Sequence, residues 1–164
     1  MAMITLRGIP ASPGVAIGPV WLYQKAQLAA YEEQSRLTVE AERRRFDDAV
    51  EQARRQLDML YDKTVQEAGE AAAQIFDIHK MMMEDLDYLE SVEDNITSQL
   101  YTAEHAVACT GQEFAEMFAA MEDEVMQARS ADVRDITQRL LQVLTGGQSQ
   151  TLERSSVICA HDLF

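Results

Sequence analysis

Cysteine, proline and glycine are scarce in this chain of 164 residues, at 2, 3 and 7. Cys109 and Cys159 form neither a CxxC pair nor a zinc-type spacing. That excludes a disulfide framework and leads us to expect reduced, inert thiols in a cytoplasmic protein. The prolines and most glycines lie near the two ends, so a long middle stretch has almost no helix breaker. Basic residues are few as well, 14 against 28 acidic ones, for a net charge of −14. A surface of that sign repels phosphate backbones and anionic lipid, which argues against nucleic acid and membrane partners and suits a basic protein. No apolar run approaches the roughly 18 residues of a membrane span, and no basic segment followed by an apolar run marks a signal peptide. Gly-rich phosphate loops, GxSxG and HExxH do not occur, so the residues alone offer no catalytic constellation.

What is present changes character along the chain. Gly8 to Gly14 is turn chemistry, with Pro13 presetting φ and Gly14 free to take positive φ. Val15–Ile17 and Val20–Tyr23 read as strand, broken at Gly18-Pro19, where the missing N–H demands an edge. Gln24 to Leu37 is a polar connector. From Thr38, an N-cap with Glu40 and Glu42 complementing the helix dipole, the period becomes helical. Val39, Phe46, Val50, Ala53, Leu57, Leu60 and Thr64 mark the apolar face of a long first helix ended or bent by Gly69. A second helix spans Glu70 to about Glu84 with Ala72, Ile75, Phe76, His79, Met82 and Met83 on one side. After a break at Asp85–Asp87, a third turns Leu86, Leu89, Val92, Ile96 and Leu100 inward. Thr102 caps a fourth, with Ala106, Cys109, Phe114, Met117, Phe118 and Met121 as its stripe. A fifth follows the acidic run Glu122–Glu124, carries Val133, Ile136, Leu140 and Leu144, and closes at Gly146-Gly147. Ser156–Ala160 reads as a final strand. Helices joined by short turns pack antiparallel, so the expected fold is mostly α. A helical bundle (25–146) interrupts a small α/β unit represented by terminal strands (1–24) and by a linker and strand (147–164).

Three histidines are the candidates for chemistry. His79 sits on an apolar helix face and reads as a hydrogen-bonded core histidine. His105 and Cys109, four apart, could chelate a metal, but no third ligand is visible. His161 follows the last strand beside Asp162. Met81-Met82-Met83 cannot all face inward, because successive helical positions differ by about 100°. At least one methionine is expected at the surface, where its soft, flexible side chain makes an adaptable contact.

Three segments in register carry a family resemblance. Gly8-Ile9-Pro10-Ala11-Ser12-Pro13-Gly14-Val15-Ala16-Ile17-Gly18 resembles the "G…ASPGIAxG" opening of enzyme I, the phosphoenolpyruvate–protein phosphotransferase of the sugar phosphotransferase system. Ile75-Phe76-Asp77-Ile78-His79 through Asp85 resembles its "IFExHxxLLED" helix. Ala131-Asp132-Val133-Arg134-Asp135-Ile136 with Arg139-Leu140-Leu141 resembles its "ADVRDIxxRLL" helix. The same module occurs in nitrogen-branch enzyme I and in the phosphotransfer subunit of dihydroxyacetone kinase.

The resemblance implies a helical subdomain that docks the phosphocarrier HPr, inserted in an α/β swivelling subdomain that carries a phosphorylatable histidine. That histidine lies in a "GGxTSH" motif, which these 164 residues do not contain, so His161 does not match it. By position, the docking face would comprise Glu70, Gln74, Met81, Met82, Asp87, Tyr88, Phe118, Met126 and Arg129. Ala71-Ala72-Ala73 and Lys80 depart from the family pattern. The chain alone is then expected to be inactive, with no catalytic residue, metal or cofactor of its own. Mg²⁺ would serve only the full-length parent, and dimerisation through exposed strand edges is expected. The competing readings are a freestanding helical adaptor without phosphotransfer and a metal-binding four-helix protein. The lack of paired ExxH motifs argues against the second.

Overall fold

The computed structural model describes residues 8–9, 13–23, 31–146 and 156–160. Its elements are β1 (Val20–Tyr23), α1 (Val39–Ala68), α2 (Glu70–Met83), α3 (Leu86–Ser98), α4 (Ala103–Ala119), α5 (Glu124–Leu144) and β2 (Val157–Ala160). The two strands belong to one compact unit and the five helices to another. The first unit pairs β1 with β2 in parallel, Val20 opposite Val157 and Tyr23 opposite Ala160. Parallel strands need a long crossover between them, and here the whole helical bundle lies in that connection. Pairing begins where the Val157 N–H donates to the Pro19 carbonyl at 2.8 Å. The expected strand at Val15–Ile17 is a correction: these residues lie outside the sheet, and Val15 and Ile17 are exposed. Among the described residues no strand offers them a ladder.

In the bundle α1, α3, α4 and α5 each start where a short polar side chain satisfies orphan amides. Thr38 accepts from Ala41 N at 3.2 Å, and Asp85 from Asp87 N and Tyr88 N at 3.0 and 3.3 Å. Thr102 accepts from His105 N at 3.1 Å, and Asp123 from Val125 N and Met126 N at 2.8 and 3.1 Å. Between α1 and α2 the chain turns at a single residue, Gly69, whose φ of 90° disfavours any side chain.

The core is built from Phe46, Ala49, Ala53 and Leu57 of α1, Met83 of α2, Tyr88, Val92 and Ile96 of α3, Ala103, Ala106 and Val107 of α4, and Ile136 and Leu140 of α5. Two expected inward residues of α3 point outward instead. Leu86, in the first turn, is 70% exposed, and Leu100 lies beyond the helix end with φ 58° and is 53% exposed. The left-handed backbone at Leu100 swings its side chain away from the stripe while its carbonyl accepts from Ser35 N at 3.0 Å. Ala72 and Ile75 of α2 and Met117 of α4 are likewise exposed, because the buried faces are centred on Ala73–His79–Met83 and on Ala106–Thr110–Gly111.

Glu42 is buried rather than serving only the α1 dipole. Its carboxylate accepts from Ser35 Oγ at 2.5 Å, Arg45 at 2.7 Å and Ala103 N at 3.1 Å. It thereby ties the segment before α1 to the start of α4, and the donors offset the cost of burying its charge.

The α4–α5 contact depends on a glycine. A Cβ at Gly111 would lie 2.1 Å from Thr137 Oγ1, 2.4 Å from its Cγ2 and 2.8 Å from its Cβ. Gly111→Ala should therefore cost about 1–3 kcal/mol by overpacking and lower the melting temperature by several degrees. Thr137→Ala added to it should recover part of the loss, since two of the three clashing atoms go. An unchanged melting temperature in the single variant would contradict this packing.

Candidate functional site

Along α2, Glu70, Gln74 and Met81 follow at intervals of four and seven, and all three are exposed on the side away from the core. The methionine run divides as helical geometry requires. Met81 is 65% exposed, Met82 is partly buried against the core, and Met83 is fully buried. Lys80 anchors this helix to α1, its Nζ 2.8 Å from Asp58 Oδ1 and 3.6 Å from Asp77 Oδ1. The Asp58 hydrogen bond in particular raises the ammonium pKa.

On the other side, α2 meets α5 through a polar bridge. His79, 7% exposed, has its Nε2 3.4 Å from Asp132 Oδ1. The other carboxylate oxygen, Oδ2, accepts from Arg129 Nη1 at 3.1 Å. A buried histidine in an apolar setting thus has a hydrogen-bonding partner, as its position on α2 suggested. Arg129 is partly exposed, and Met126, three residues earlier on the same helix, is 43% exposed. Phe118 of α4 is partly buried. It precedes the short turn at Ala120–Asp123, so it belongs with Met126 to the tip of one helical hairpin.

Asp87 is exposed in the first turn of α3, at the edge of an open cleft with Glu90, Glu93 and Asp94. Tyr88 is the correction. It is 1% exposed, its hydroxyl 3.3 Å from Thr137 Oγ1 and its ring edge-on to Phe114 at 5.5 Å. It joins α3, α4 and α5 from inside and is not part of any surface. Three residues past the Asp85 cap, the α3 backbone has already rotated this position onto the core.

Sequence reasoning missed Leu86, Met117 and Val125, which are 70%, 48% and 63% exposed. They sit at the start of α3, the end of α4 and the start of α5, the same end of these three helices as Asp87, Phe118 and Met126. For Leu86 and Val125 the available signal was their place beside the caps at Asp85 and Asp123, where first-turn side chains escape the stripe.

Among the described residues the remaining polar groups build no second site. Cys109 Sγ lies 3.4 Å from His105 Nε2, and Tyr101 packs edge-on to that imidazole at 4.6 Å. Among the described residues no cluster of three or more potential ligands forms a metal site. Burial, then Glu113 and Glu33, push the Cys109 thiol pKa up, which opposes the thiolate form. His161 lies outside the described residues. Among the described residues no helix is long and apolar enough to cross a membrane.

Helical bundle, parallel strand pair and amphipathic rim together define the class: a mostly helical domain that presents a surface. Residues 7–129 match the family described as "PEP-utilising enzyme, N-terminal", and the chain belongs to that family. It is 35% identical over 161 residues to the phosphoenolpyruvate-protein phosphotransferase of Listeria monocytogenes, covering 96% of this chain and 28% of that protein. To the protein of that name from Bacillus subtilis it is 32% identical, covering 98% and 29%. The chain therefore spans under a third of these relatives. Among solved structures it resembles an enzyme I solution structure, at TM-score 0.78 and 32% identity, covering 94% of this chain and 64% of that one. It also resembles the N-terminal domain of the nitrogen enzyme I, at TM-score 0.71 and 29% identity, covering 87% and 60%.

Burial drives the Tyr88 phenol up to about 12 from 10.0, against a smaller opposing effect of its Thr137 hydrogen bond. The folded state thus prefers the neutral phenol. This contribution is whole below the unfolded pKa of 10.0 and is lost as pH rises through about 12. Stability should fall across that window, and a Tyr88→Phe variant should fall less. Equal loss in both, followed by urea unfolding at several pH values, would show that Tyr88 is not buried as described.

Proposed function

We propose that this chain docks an HPr-like phosphocarrier as the N-terminal part of a phosphoenolpyruvate-dependent protein phosphotransferase. The phosphoryl group would pass from a histidine carried elsewhere in the parent, because the "GGxTSH" motif does not occur in these residues. The parent would need Mg²⁺, work in the cytoplasm and serve sugar transport or its nitrogen counterpart. The strand pair β1–β2 would belong to the α/β swivelling subdomain that carries the histidine.

The observation that carries this reading is the rim beside the His79–Asp132 bridge. Around it α2 exposes Met81 on its outward side and α5 exposes Met126, three residues before Arg129, in a chain of net charge −14. Methionine adapts to a partner's apolar contour at low steric cost, and Leu86 and Val125 extend the apolar area. The acidic cleft of α3, with Asp87 and Glu90, steers a basic carrier, so association should slow as salt rises. Glu70, Gln74, Asp87 and Phe118 supply the polar and apolar border, while Tyr88 acts only from beneath, by holding α3.

Met81 is the clean probe, since Met82 packs on the core and its replacement would disturb the fold. Met81→Asp should weaken binding of unphosphorylated carrier more than tenfold, about 2 kcal/mol, by placing a charge in a desolvated contact. The melting temperature should hold. Unchanged affinity in the folded variant would refute the docking face.

A further inference from the structure

We propose that Asp132 is a positioning residue of the docking face, setting the guanidinium of Arg129 toward an oxyanion on the docked carrier. The inference rests on the docking reading and adds to it a residue that itself touches no partner. Asp132 is 17% exposed at its side chain and uses both oxygens, Oδ1 toward His79 Nε2 at 3.4 Å and Oδ2 on Arg129 Nη1 at 3.1 Å. His79 is buried and belongs to α2, so the carboxylate is held from a second helix. Arg129 lies three residues before Asp132, and among the described residues its one ion pair is this one. A flexible arginine would otherwise sample many rotamers, and ordering it on binding costs affinity. Engaging only Nη1 restrains the side chain and leaves further N–H donors of the fork for an acceptor.

The position matters as much as the bond. Val125, Arg129 and Asp132 follow at intervals of four and three, one flank of α5, with Val125 exposed and the Arg129 and Asp132 side chains partly buried, at 30% and 17% exposure. The flank therefore runs from an apolar exposed end, through the cation, to the partly buried anchor. An oxyanion arriving on this rim meets Arg129 as an exposed cation backed by a partly buried anion. Two sources fit that chemistry, a carboxylate of the carrier or the phosphoryl group on its histidine.

The test is a double-mutant cycle in carrier affinity, using the whole chain and the HPr of the organism that encodes it, unphosphorylated and phosphorylated. Asp132→Asn keeps the shape and removes the charge that holds the guanidinium. Arg129→Met should weaken binding about tenfold and Asp132→Asn about fivefold, with the double variant no weaker than Arg129→Met alone. Arg129→Met should also flatten the salt dependence of binding. A greater loss with the phosphorylated carrier assigns the oxyanion to the phosphoryl group, and equal losses assign it to a carboxylate. Additive losses, or an Asp132→Asn variant that binds like the original, overturn the positioning role. If Met81→Asp weakens binding in the same assay, the docking reading survives that failure, whereas no binding by the unaltered chain defeats both.

Discussion

The distance between α4 and α5 is the constraint on which the rest of the bundle depends, and Gly111 sets it. With no side chain there, Thr137 seats against the α4 backbone, and its Oγ1 still donates to the Val133 carbonyl at 2.7 Å. That same oxygen lies in reach of the Tyr88 hydroxyl, which locates the start of α3. One close approach thus fixes the start of α3 against the interior of α4 and α5. Alanine at Ala103, Ala106 and Ala115 extends the same economy of side-chain volume along α4, so the hairpin packs as a stiff unit. A rim built on stiff elements presents its contacts with little loss of freedom on binding.

At the opposite end the bundle relies on charge. Glu42 gathers Ser35, Arg45 and Ala103, Arg45 also pairs with Glu104, and Thr102 Oγ1 donates to the Glu32 carbonyl at 2.6 Å. The Gln34–Tyr101 bridge and the hydrogen bonds donated by Ser35 N–H to the Leu100 carbonyl and by Thr102 N–H to the Glu33 carbonyl complete the latch. It closes the bundle far from the rim. The two ends thus divide the work: hydrogen-bonded charge secures the chain where it joins the helices, and close apolar packing shapes the face proposed for docking.

Much of the fold was legible in the residues because helix ends and stripes are local. Thr38, Thr102 and Gly69 announce their roles by chemistry that needs no tertiary partner. The sequence also told that the methionine run must split between core and surface. Leu86 and Leu100 were misjudged because periodicity alone does not report where a cap ends or where the backbone turns left-handed, and Tyr88 because a family position carries no report of burial. Glu42 looked like a first-turn acid because its donors come from residues before α1 and at the start of α4. Gly111 offered a signal that went unread: a glycine inside a helix costs about 1 kcal/mol against alanine, and that cost calls for a packing reason. The His79–Asp132 bridge joins residues 53 apart, and only the fold brings them together.

The central claim is that the rim formed by the end of α2 and the start of α5 receives the carrier. Amide chemical-shift mapping of the labelled chain, titrated with unphosphorylated HPr, tests it most directly. The account predicts shifts concentrated at Met81–Asp87 and Val125–Asp132, with α1 around Arg43 and the latch around Ser35 unmoved. Shifts centred on Arg43, Glu93 and the latch, or none at saturating carrier, would contradict it.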